Sequence, residues 1–271
     1  MKRQALTCGL VIAAVVLASG CQKLKSRDQL NKGVAAFKNA QYPEAVEHFK
    51  TAVDLDPNFA SARLYLATAY MQQWIPGADS PENRQMAQAA RKGFLDVLDQ
   101  NPKDKTAMAY LASLSLNQQK WDESREWYQK LISVDPKNKE AYYSLGFIAW
   151  SEWYPAYGKA RAAAGMKQED PGPIKDKKVK EELKARWNPV IEAGLQALDK
   201  SLEIDPDYDD AMAYENLLIR ERADLMETKE EYNKQVKIAE DWVQRNMETR
   251  KKKAEQKAKS TPGGIVAEPA K

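Results

Sequence analysis

The alternation of small and aromatic residues between Gly33 and Pro57 restricts how this chain can fold more than any other feature of its sequence. The small residues Gly33 and Ala45 alternate with Tyr42 and Phe49, and Ala45 and Phe49 lie at the spacing that places side chains on one face of a helix. Pro57 then ends the second segment, because proline disfavours helical geometry in the residue before it. The pattern predicts two short antiparallel helices that approach closely at the small residues.

The pattern returns along the chain, and each copy closes at an acidic or amide residue followed by proline. The closing prolines are Pro57, Pro102, Pro136 and Pro206, separated by 45, 34 and 70 residues. The 34-residue copy is the most regular, and the longer separations predict insertions near residues 72–85 and 151–188. A degenerate additional repeat within residues 151–173 is the alternative to the second insertion.

These helix pairs resemble the tetratricopeptide repeat (TPR), a helix–turn–helix unit of about 34 residues. The positions that carry the resemblance in the first copy are Gly33, Tyr42, Ala45, Phe49, Ala52 and Pro57. The resemblance implies an all-α, TPR-like solenoid of about four to five units over residues 27–225. The units are expected at about residues 26–59, 60–104, 105–138 and 139–208, and from 209–225 onward. A capping helix with a basic end is predicted for residues 226–259, and a disordered tail for residues 260–271.

The first twenty residues resemble the signal peptide of a bacterial lipoprotein. Lys2 and Arg3 precede an apolar or small stretch from Leu6 to Gly20, which is too short to span a membrane, and Cys21 follows. The resemblance implies a signal peptide over residues 1–20, a covalent lipid on Cys21 and a short tether over residues 21–26. Because Gln22 is not aspartate, it also implies the periplasmic face of the outer membrane. An ordinary secretory signal with a chance cysteine is the alternative.

Composition argues against nucleic acid binding and against most chemistry. The chain has 42 basic and 39 acidic residues, so it lacks the strong basic excess of a nucleic-acid-binding domain. His48 is the only histidine, and no nucleophile, phosphate-loop or dinucleotide motif occurs. The aspartates from Asp205 to Asp210 depart from a calcium loop at its glycine and glutamate positions, and are interpreted as helix caps. We therefore predict no enzymatic activity, no catalytic residue, no metal and no cofactor besides the lipid.

The resemblance implies that the first helix of each repeat contributes side chains to a concave, partner-binding groove. The candidate groove residues are Phe37, Leu64, Thr68, Met71, Leu116, Asn117, Tyr143, Phe147, Trp150 and Arg220. Tyr143, Phe147 and Trp150 lie on one stripe of one helix, in the region of highest aromatic density. This stripe is either a hot spot for a peptide or a part of the core against which the insertion packs.

The expected function is a lipid-anchored protein–protein interaction scaffold in the bacterial envelope, which holds an envelope protein or peptide segment. The alternative is a small-ligand, glycan or peptidoglycan binder that uses the aromatic residues around 150–157. An unrecognised hydrolase is a third, minor interpretation. The basic run that starts at Arg250 is interpreted as a solvated helix end, with anionic lipid or peptidoglycan contact as the alternative.

Overall fold

The computed structural model describes residues 21–167 and 170–260, which form ten helices and contain no strand. The all-α prediction is therefore confirmed for this part of the chain. The predicted signal peptide, residues 1–20, and the predicted tail beyond Ser260 lie outside the described residues. The chain divides into two compact units, one up to Trp127 and the other from Tyr128 onward.

Unit 1 is a succession of antiparallel helices. It contains α1 (residues 21–38), α2 (Tyr42–Leu55), α3 (Ala60–Gln73), α4 (Pro81–Gln100), α5 (Lys105–Asn117) and the first half of α6 (Trp121–Val134). Residues 21–26, predicted as a short tether, are helical and belong to α1. Their helical conformation shortens the reach of five residues from about 18 Å to about 8 Å.

Small residues set the distance between helices in unit 1, as the sequence pattern predicts. A Cβ atom at Gly33 would lie 2.5 Å from the ring of Phe49, and Ala45 is fully buried. The same relation recurs at Gly93, where a Cβ atom would lie 2.7 Å from the Cβ of Ala67. A larger side chain at these positions would separate the helices.

The segment near residues 72–85 contains a loop between α3 and α4 that one asparagine organises. The buried side chain of Asn83 accepts from the backbone N–H of Ile75 at 2.7 Å and donates to the carbonyls of Ile75 and Ala78, each at 2.8 Å. Ser80 Oγ accepts from the backbone N–H of Asn83 at 3.1 Å, and Pro81 is the first residue of α4. Serine followed by proline is a sequence pattern that predicts a helix start, and α4 begins there.

Unit 2 contains the rest of α6 followed by four longer helices. They are α7 (Lys139–Ala163), α8 (Lys177–Ile204), α9 (Asp209–Ala223) and α10 (Lys229–Ser260). The α7 helix packs against α8 and α9, and α9 packs against α10. Residues 151–163 continue α7 and residues 177–188 belong to α8, so we call these two segments the α7–α8 extension. The arrangement corresponds to an insertion that lengthens one hairpin.

The core of unit 2 includes the extension. Trp153 is fully buried, and it packs with Leu183 and Ile191 of α8. Its ring centroid lies 6.0 Å from that of Trp187. The extension is therefore held by the same apolar core as the repeat helices.

The basic end of α10 pairs with the acidic turn between α8 and α9. Arg250 Nε lies 3.0 Å from Asp209 Oδ2, and Lys252 Nζ lies 3.1 Å from Asp207 Oδ2. No side-chain hydrogen bond caps the start of α9, so the predicted capping role of these aspartates is wrong. Apolar residues at spacings of three or four from Tyr232 to Met247 predict one apolar face along α10, but Met247 is 57% exposed, so this prediction is partly wrong.

Candidate functional site

A surface of packed aromatic rings lies where α7 meets α9. Tyr143, Phe147 and Trp150 of α7 surround Tyr214 of α9, with ring centroids 5.7, 5.2 and 5.3 Å from that of Tyr214. The rings meet at steep angles, the edge-to-face geometry that aromatic pairs favour. All four side chains are half-buried. They support one another and still present part of their surface to solvent.

Tyr154 extends this surface along α7. Its ring stacks on that of Trp150 at 4.9 Å, and the residue is 38% exposed. We call Tyr143, Phe147, Trp150, Tyr154 and Tyr214 the aromatic surface. Trp153, only one residue before Tyr154, is fully buried. The aromatic region that the sequence singles out therefore supplies rings both to the core and to the surface.

A pocket of about 520 Å³ opens beside the aromatic surface. Its lining residues come from α7, α9 and the segment that follows α7: Trp150, Tyr154, Tyr157, Gly158, Arg161, Ala162, Met166, Leu217, Arg220 and Glu221. Of the residues predicted for the groove, Trp150 and Arg220 meet here. The others of α7, Tyr143 and Phe147, belong to the neighbouring aromatic surface.

Glu221 lies beneath the pocket and is only 5% exposed. Its Oε1 accepts a hydrogen bond from Trp150 Nε1 at 3.0 Å. Burial raises the pKa of Glu221 to about 7, the indoles of Trp150 and Trp153 act against this shift, and the charge of Asp224 adds to it. Near neutral pH this carboxyl is therefore divided between its neutral and ionised forms.

A buried ion pair joins the extension to the end of α9. Arg161 Nη1 donates to Asp224 Oδ2, and the two side chains are 6% and 3% exposed. The hydroxyl of Tyr157 donates to the same oxygen at 2.9 Å. Arg161 Nη2 also donates to the carbonyls of Lys167 and Asp170, at 2.5 and 2.6 Å. Burial raises the pKa of Asp224, while Arg161 and Tyr157 oppose that shift.

In unit 1 the predicted groove residues are spread over two apolar clusters. Leu64 and Met71 pack against the cluster that contains Phe94, whereas Phe37 packs against the cluster that contains Phe49. Thr68 is 8% exposed and donates to the carbonyl of Leu64 at 2.8 Å, so its hydroxyl is already bonded.

The last two predicted residues of unit 1 lie near the end of α5. Leu116 is half-buried, and Asn117 is exposed. Asn117 lines a polar pocket near the turn between α5 and α6, together with Trp74, Gln88 and Arg91. This pocket is distinct from the one in unit 2.

Sequence reasoning missed the cross-helix partners of the site. Tyr214 carries no sequence signal beyond its place in a repeat helix, and the pair between Arg161 and Asp224 carries none at all. The two residues of that pair are 63 positions apart and belong to no repeat motif. The run of aromatic residues on α7 was the one signal that pointed to this region.

The described residues contain no cluster of three or more His, Cys, Asp or Glu side chains placed to hold a metal ion. His48 Nδ1 lies 2.7 Å from Gln29 Oε1, so the histidine joins α2 to α1. Within residues 21–167 and 170–260, no helix is both long enough and apolar enough to cross a membrane.

Comparison with protein families identifies TPR repeats in the chain. A family model for the TPR repeat matches residues 33–73 and 116–151. The first match runs from the second half of α1 to the end of α3, and the second includes the part of α7 that carries Tyr143, Phe147 and Trp150.

The curated relatives found are subunits of a receptor. The chain is 24% identical over 196 residues to the mitochondrial import receptor subunit TOM70 of Rattus norvegicus, which is 72% of this chain and 26% of the relative. It is 24% identical over 199 residues to human TOM70, which is 73% of this chain and 26% of the relative. The chain thus spans about a quarter of the length of these relatives.

Solved structures of TPR-fold proteins resemble the chain. MamA aligns with a TM-score of 0.57 at 14% identity, covering 90% of this chain and 98% of MamA. MamA of Desulfovibrio magneticus RS-1, from residue 41 onward, aligns with a TM-score of 0.57 at 15% identity. The alignment covers 84% of this chain and 96% of that protein. YrrB, described as a TPR protein with an unusual peptide-binding site, aligns with a TM-score of 0.50 at 12% identity. The alignment covers 82% of this chain and 90% of YrrB. With the family match, they confirm the predicted all-α TPR-like solenoid class.

Proposed function

We propose that this protein is a non-enzymatic interaction scaffold that holds a peptide or protein partner on the aromatic surface of α7 and α9. The observation that carries the proposal is the aromatic surface itself, five rings that pack on one another while Tyr154 stays 38% exposed. The TPR repeats, the receptor TOM70 and the peptide-binding site named for YrrB support it.

The physical basis of binding is burial of these rings by the partner. Tyrosine and tryptophan supply large contact areas and are enriched among the residues that dominate binding energy. The rings already hold one another in place, so a partner orders few side chains when it binds. Tyr143, Phe147 and Trp150 are thus proposed as binding residues together with Tyr154 and Tyr214.

We also propose that the scaffold is anchored by lipid on Cys21 in the cell envelope, at the periplasmic face of an outer membrane. The signal-like residues before Cys21 support this proposal, and the cysteine is exposed at the start of α1. Because residues 21–26 are helical and continuous with the rest of α1, the first repeat would lie directly at the lipid surface. The proposed partner is accordingly another envelope protein or a segment of one.

Crosslinking in cells followed by mass spectrometry tests the scaffold function. We compare the parent chain with Phe147→Ala and Tyr154→Ala, and we use Tyr65→Ala as the matched control. Tyr65 and Tyr154 are both 38% exposed, and Tyr65 lies on α3 of unit 1 and is not part of the aromatic surface. Circular dichroism establishes that each variant is folded. We expect the two aromatic-surface variants to lose the crosslinked partners that the parent and Tyr65→Ala retain.

Two outcomes would contradict the proposal. One is an unchanged set of partners for folded Phe147→Ala and Tyr154→Ala. The other is the same loss for Tyr65→Ala, which would indicate that capture depends on general surface apolarity.

Binding of a small ligand or glycan around residues 150–157 is the second candidate function. The pocket beside Trp150 and Tyr154 favours it, because pockets of roughly 300–1,000 Å³ with aromatic walls are typical of ligand sites. Soluble peptidoglycan fragments that bind the parent chain but not Tyr154→Ala, in titration calorimetry, would support this candidate.

A further inference from the structure

The pocket in unit 2 is closed by residues that the repeats alone would not provide. Trp150, Leu217 and Arg220 come from the repeat helices, whereas Tyr157 and Gly158 come from the extension. Met166 follows α7 and completes the lining. The Arg161–Asp224 pair fastens this side of the pocket to the end of α9. The pocket is therefore a built cavity, fixed by buried contacts, and not an accidental gap between repeats.

The walls of the pocket are largely apolar. The indole of Trp150 and the ring of Tyr154, which stack at 4.9 Å, form one part of the lining. Leu217 and Met166 form other parts. A flat or aliphatic group of a ligand would be removed from water by these side chains, which favours binding.

Two cations line the pocket, and only one of them is neutralised. Arg161 is paired with Asp224 and bonded to two carbonyl groups. Arg220 has a different environment: within the described part of the chain its hydrogen bond is a long one, from Nε to the neutral Oδ1 of Asn216 at 3.4 Å. Its guanidinium thus offers a positive charge beside apolar walls.

We propose that this pocket binds a small organic acid, whose apolar body lies against Trp150, Leu217 and Met166 and whose carboxylate pairs with Arg220. A guanidinium presents several N–H donors in a plane and pairs well with a carboxylate. The proposal does not depend on the scaffold function, because it concerns a different ligand, although Trp150 and Tyr154 belong to both sites. Loss of acid binding in Arg220→Gln and loss of partner capture in Phe147→Ala are separate measurements.

Glu221 makes the proposed binding dependent on pH. Trp150 and Trp153 of α7 interact with its carboxyl, Tyr157 and Asp224 are coupled to it electrostatically, and Arg161 and Arg220 line the same pocket. Burial raises the pKa of Glu221 to about 7. Below that pH the carboxyl is neutral and the charge of Arg220 dominates, whereas above it an ionised Glu221 repels a bound carboxylate. Affinity for an acid is therefore expected to fall as pH rises through neutrality.

The experiment compares two probes of the same shape and opposite charge, 3-phenylpropionate and 3-phenylpropylamine, by titration calorimetry and ligand-observed NMR. The variants are Arg220→Gln and Gly158→Leu, with Arg245→Gln as an exposed cation control on α10. Gly158 lines the pocket, and a Cβ atom there meets nothing within 4 Å, so Gly158→Leu adds apolar bulk at the lining without a clash or a change of charge. Circular dichroism verifies that each variant is folded.

We expect the acid to bind more tightly than the amine at pH 6. Arg220→Gln should weaken acid binding by about tenfold or more, Gly158→Leu should abolish it, and Arg245→Gln should leave it unchanged. Binding of the acid should weaken between pH 6 and pH 8, and Glu221→Gln should remove most of this dependence. Equal or tighter binding of the amine, absence of acid binding at millimolar concentration, or an unchanged Arg220→Gln would each overturn the proposal.

Discussion

At the scale of single residues, Glu215 is the side chain of α9 that is least expected in a core. It is 4% exposed, and its Oε2 has no hydrogen-bond partner among the described residues. Burial and the nearby charge of Asp199 raise its pKa to about 8, although Arg222 acts against the shift. The carboxyl therefore carries a proton at neutral pH in the folded chain, which avoids burial of an uncompensated charge.

This raised pKa predicts that the free energy of unfolding decreases as pH rises. The native pKa of about 8 lies above the ordinary value of 4.5, so the native state binds the proton more tightly than the unfolded state. The contribution of the Glu215 carboxyl to the free energy of unfolding is fully present below about pH 4.5. It is lost as pH rises towards 8. The slope for one proton is at most about 1.4 kcal/mol per pH unit. Urea unfolding at pH 5.5 and at pH 8 measures this decrease in the free energy of unfolding.

Glu215→Gln tests the source of this slope, with Glu240→Gln, an exposed position on α10, as the control. The amide cannot ionise, so we expect the variant to lose much of the decrease in stability, with Glu221 contributing the remainder. Glu240→Gln should retain the full decrease. An unchanged slope in Glu215→Gln would show that another group causes the pH dependence.

Two glycines of α7 predict opposite effects of the same substitution. A Cβ atom at Gly146 would lie 2.4 Å from Cγ of Leu198, which is fully buried, whereas one at Gly158 would meet nothing within 4 Å. Gly146→Ala should therefore destabilise the chain by about 1–3 kcal/mol through overpacking. Gly158→Ala should stabilise it by about 0.5–1 kcal/mol, because alanine favours the helix. Thermal or urea unfolding compares the two, and equal effects would contradict the packing argument.

The residues that the sequence identifies correctly are those whose role depends on size. Gly33 and Ala45 belong to a repeated spacing, and close packing leaves little freedom at such positions. The pair of Arg161 and Asp224 has no such signal, because a salt bridge between residues distant in sequence leaves no periodic pattern. Thr68 was placed in the groove by its offset alone, yet its hydroxyl is buried and bonded to Leu64.

At the scale of elements, the α7–α8 extension is attached to the end of α9 by polar contacts as well as by its apolar core. Asp224 accepts hydrogen bonds from Arg161 and Tyr157, and its carbonyl accepts from the backbone N–H of Ile174 at 3.0 Å. Lys180 Nζ donates to the carbonyl of Met226 at 3.0 Å. These contacts hold the extension where it forms one side of the pocket.

Asp224→Ala is predicted to destabilise unit 2 by about 3 kcal/mol or more, because it leaves the guanidinium of Arg161 buried without its counterion. Glu203→Ala is the matched control, since it also removes a carboxylate from an ion pair, in this case with Lys200 on the surface. We expect little change in that variant because exposed pairs contribute little. Thermal unfolding and hydrogen exchange of α7 measure the effects, and similar losses in both variants would contradict the prediction.

The extension also marks the limit of element-level prediction from this sequence. Regular repeats are recognised because each residue type recurs at a fixed offset, and the helices around Gly33, Phe49 and Trp121 follow that rule. Between Trp150 and Ala193 no offset recurs, and Pro155 and Pro189 suggest breaks, yet both lie inside helices. Tertiary packing around Trp153 stabilises these segments, and local sequence preferences do not record such packing.

At the scale of the whole molecule, a basic segment and an acidic segment of unit 2 that are distant in sequence lie next to each other. The basic run of α10 looks in the sequence like a surface for anionic lipid or a solvated helix end. Arg250, Lys252 and Lys253 remain largely exposed, as expected for a solvated helix end, and they also contact the aspartates of the turn between α8 and α9. A charge run and an acidic cluster that are far apart in sequence are thus partners in the fold.

Replacement of Cys21 provides the test of attachment, and Cys8 provides its control. If lipid is bound at Cys21, the parent chain should incorporate labelled palmitate, sediment with membranes and enter the detergent phase of Triton X-114. Cys21→Ser should lose all three properties, because without acyl chains the chain lacks the buried hydrocarbon that provides membrane affinity. Cys8→Ser should keep them, since Cys8 lies within the predicted signal peptide. Persistent membrane association of Cys21→Ser, or an unlabelled parent chain, would exclude lipid on Cys21 as the anchor and leave an ordinary secretory signal as the explanation of the first residues.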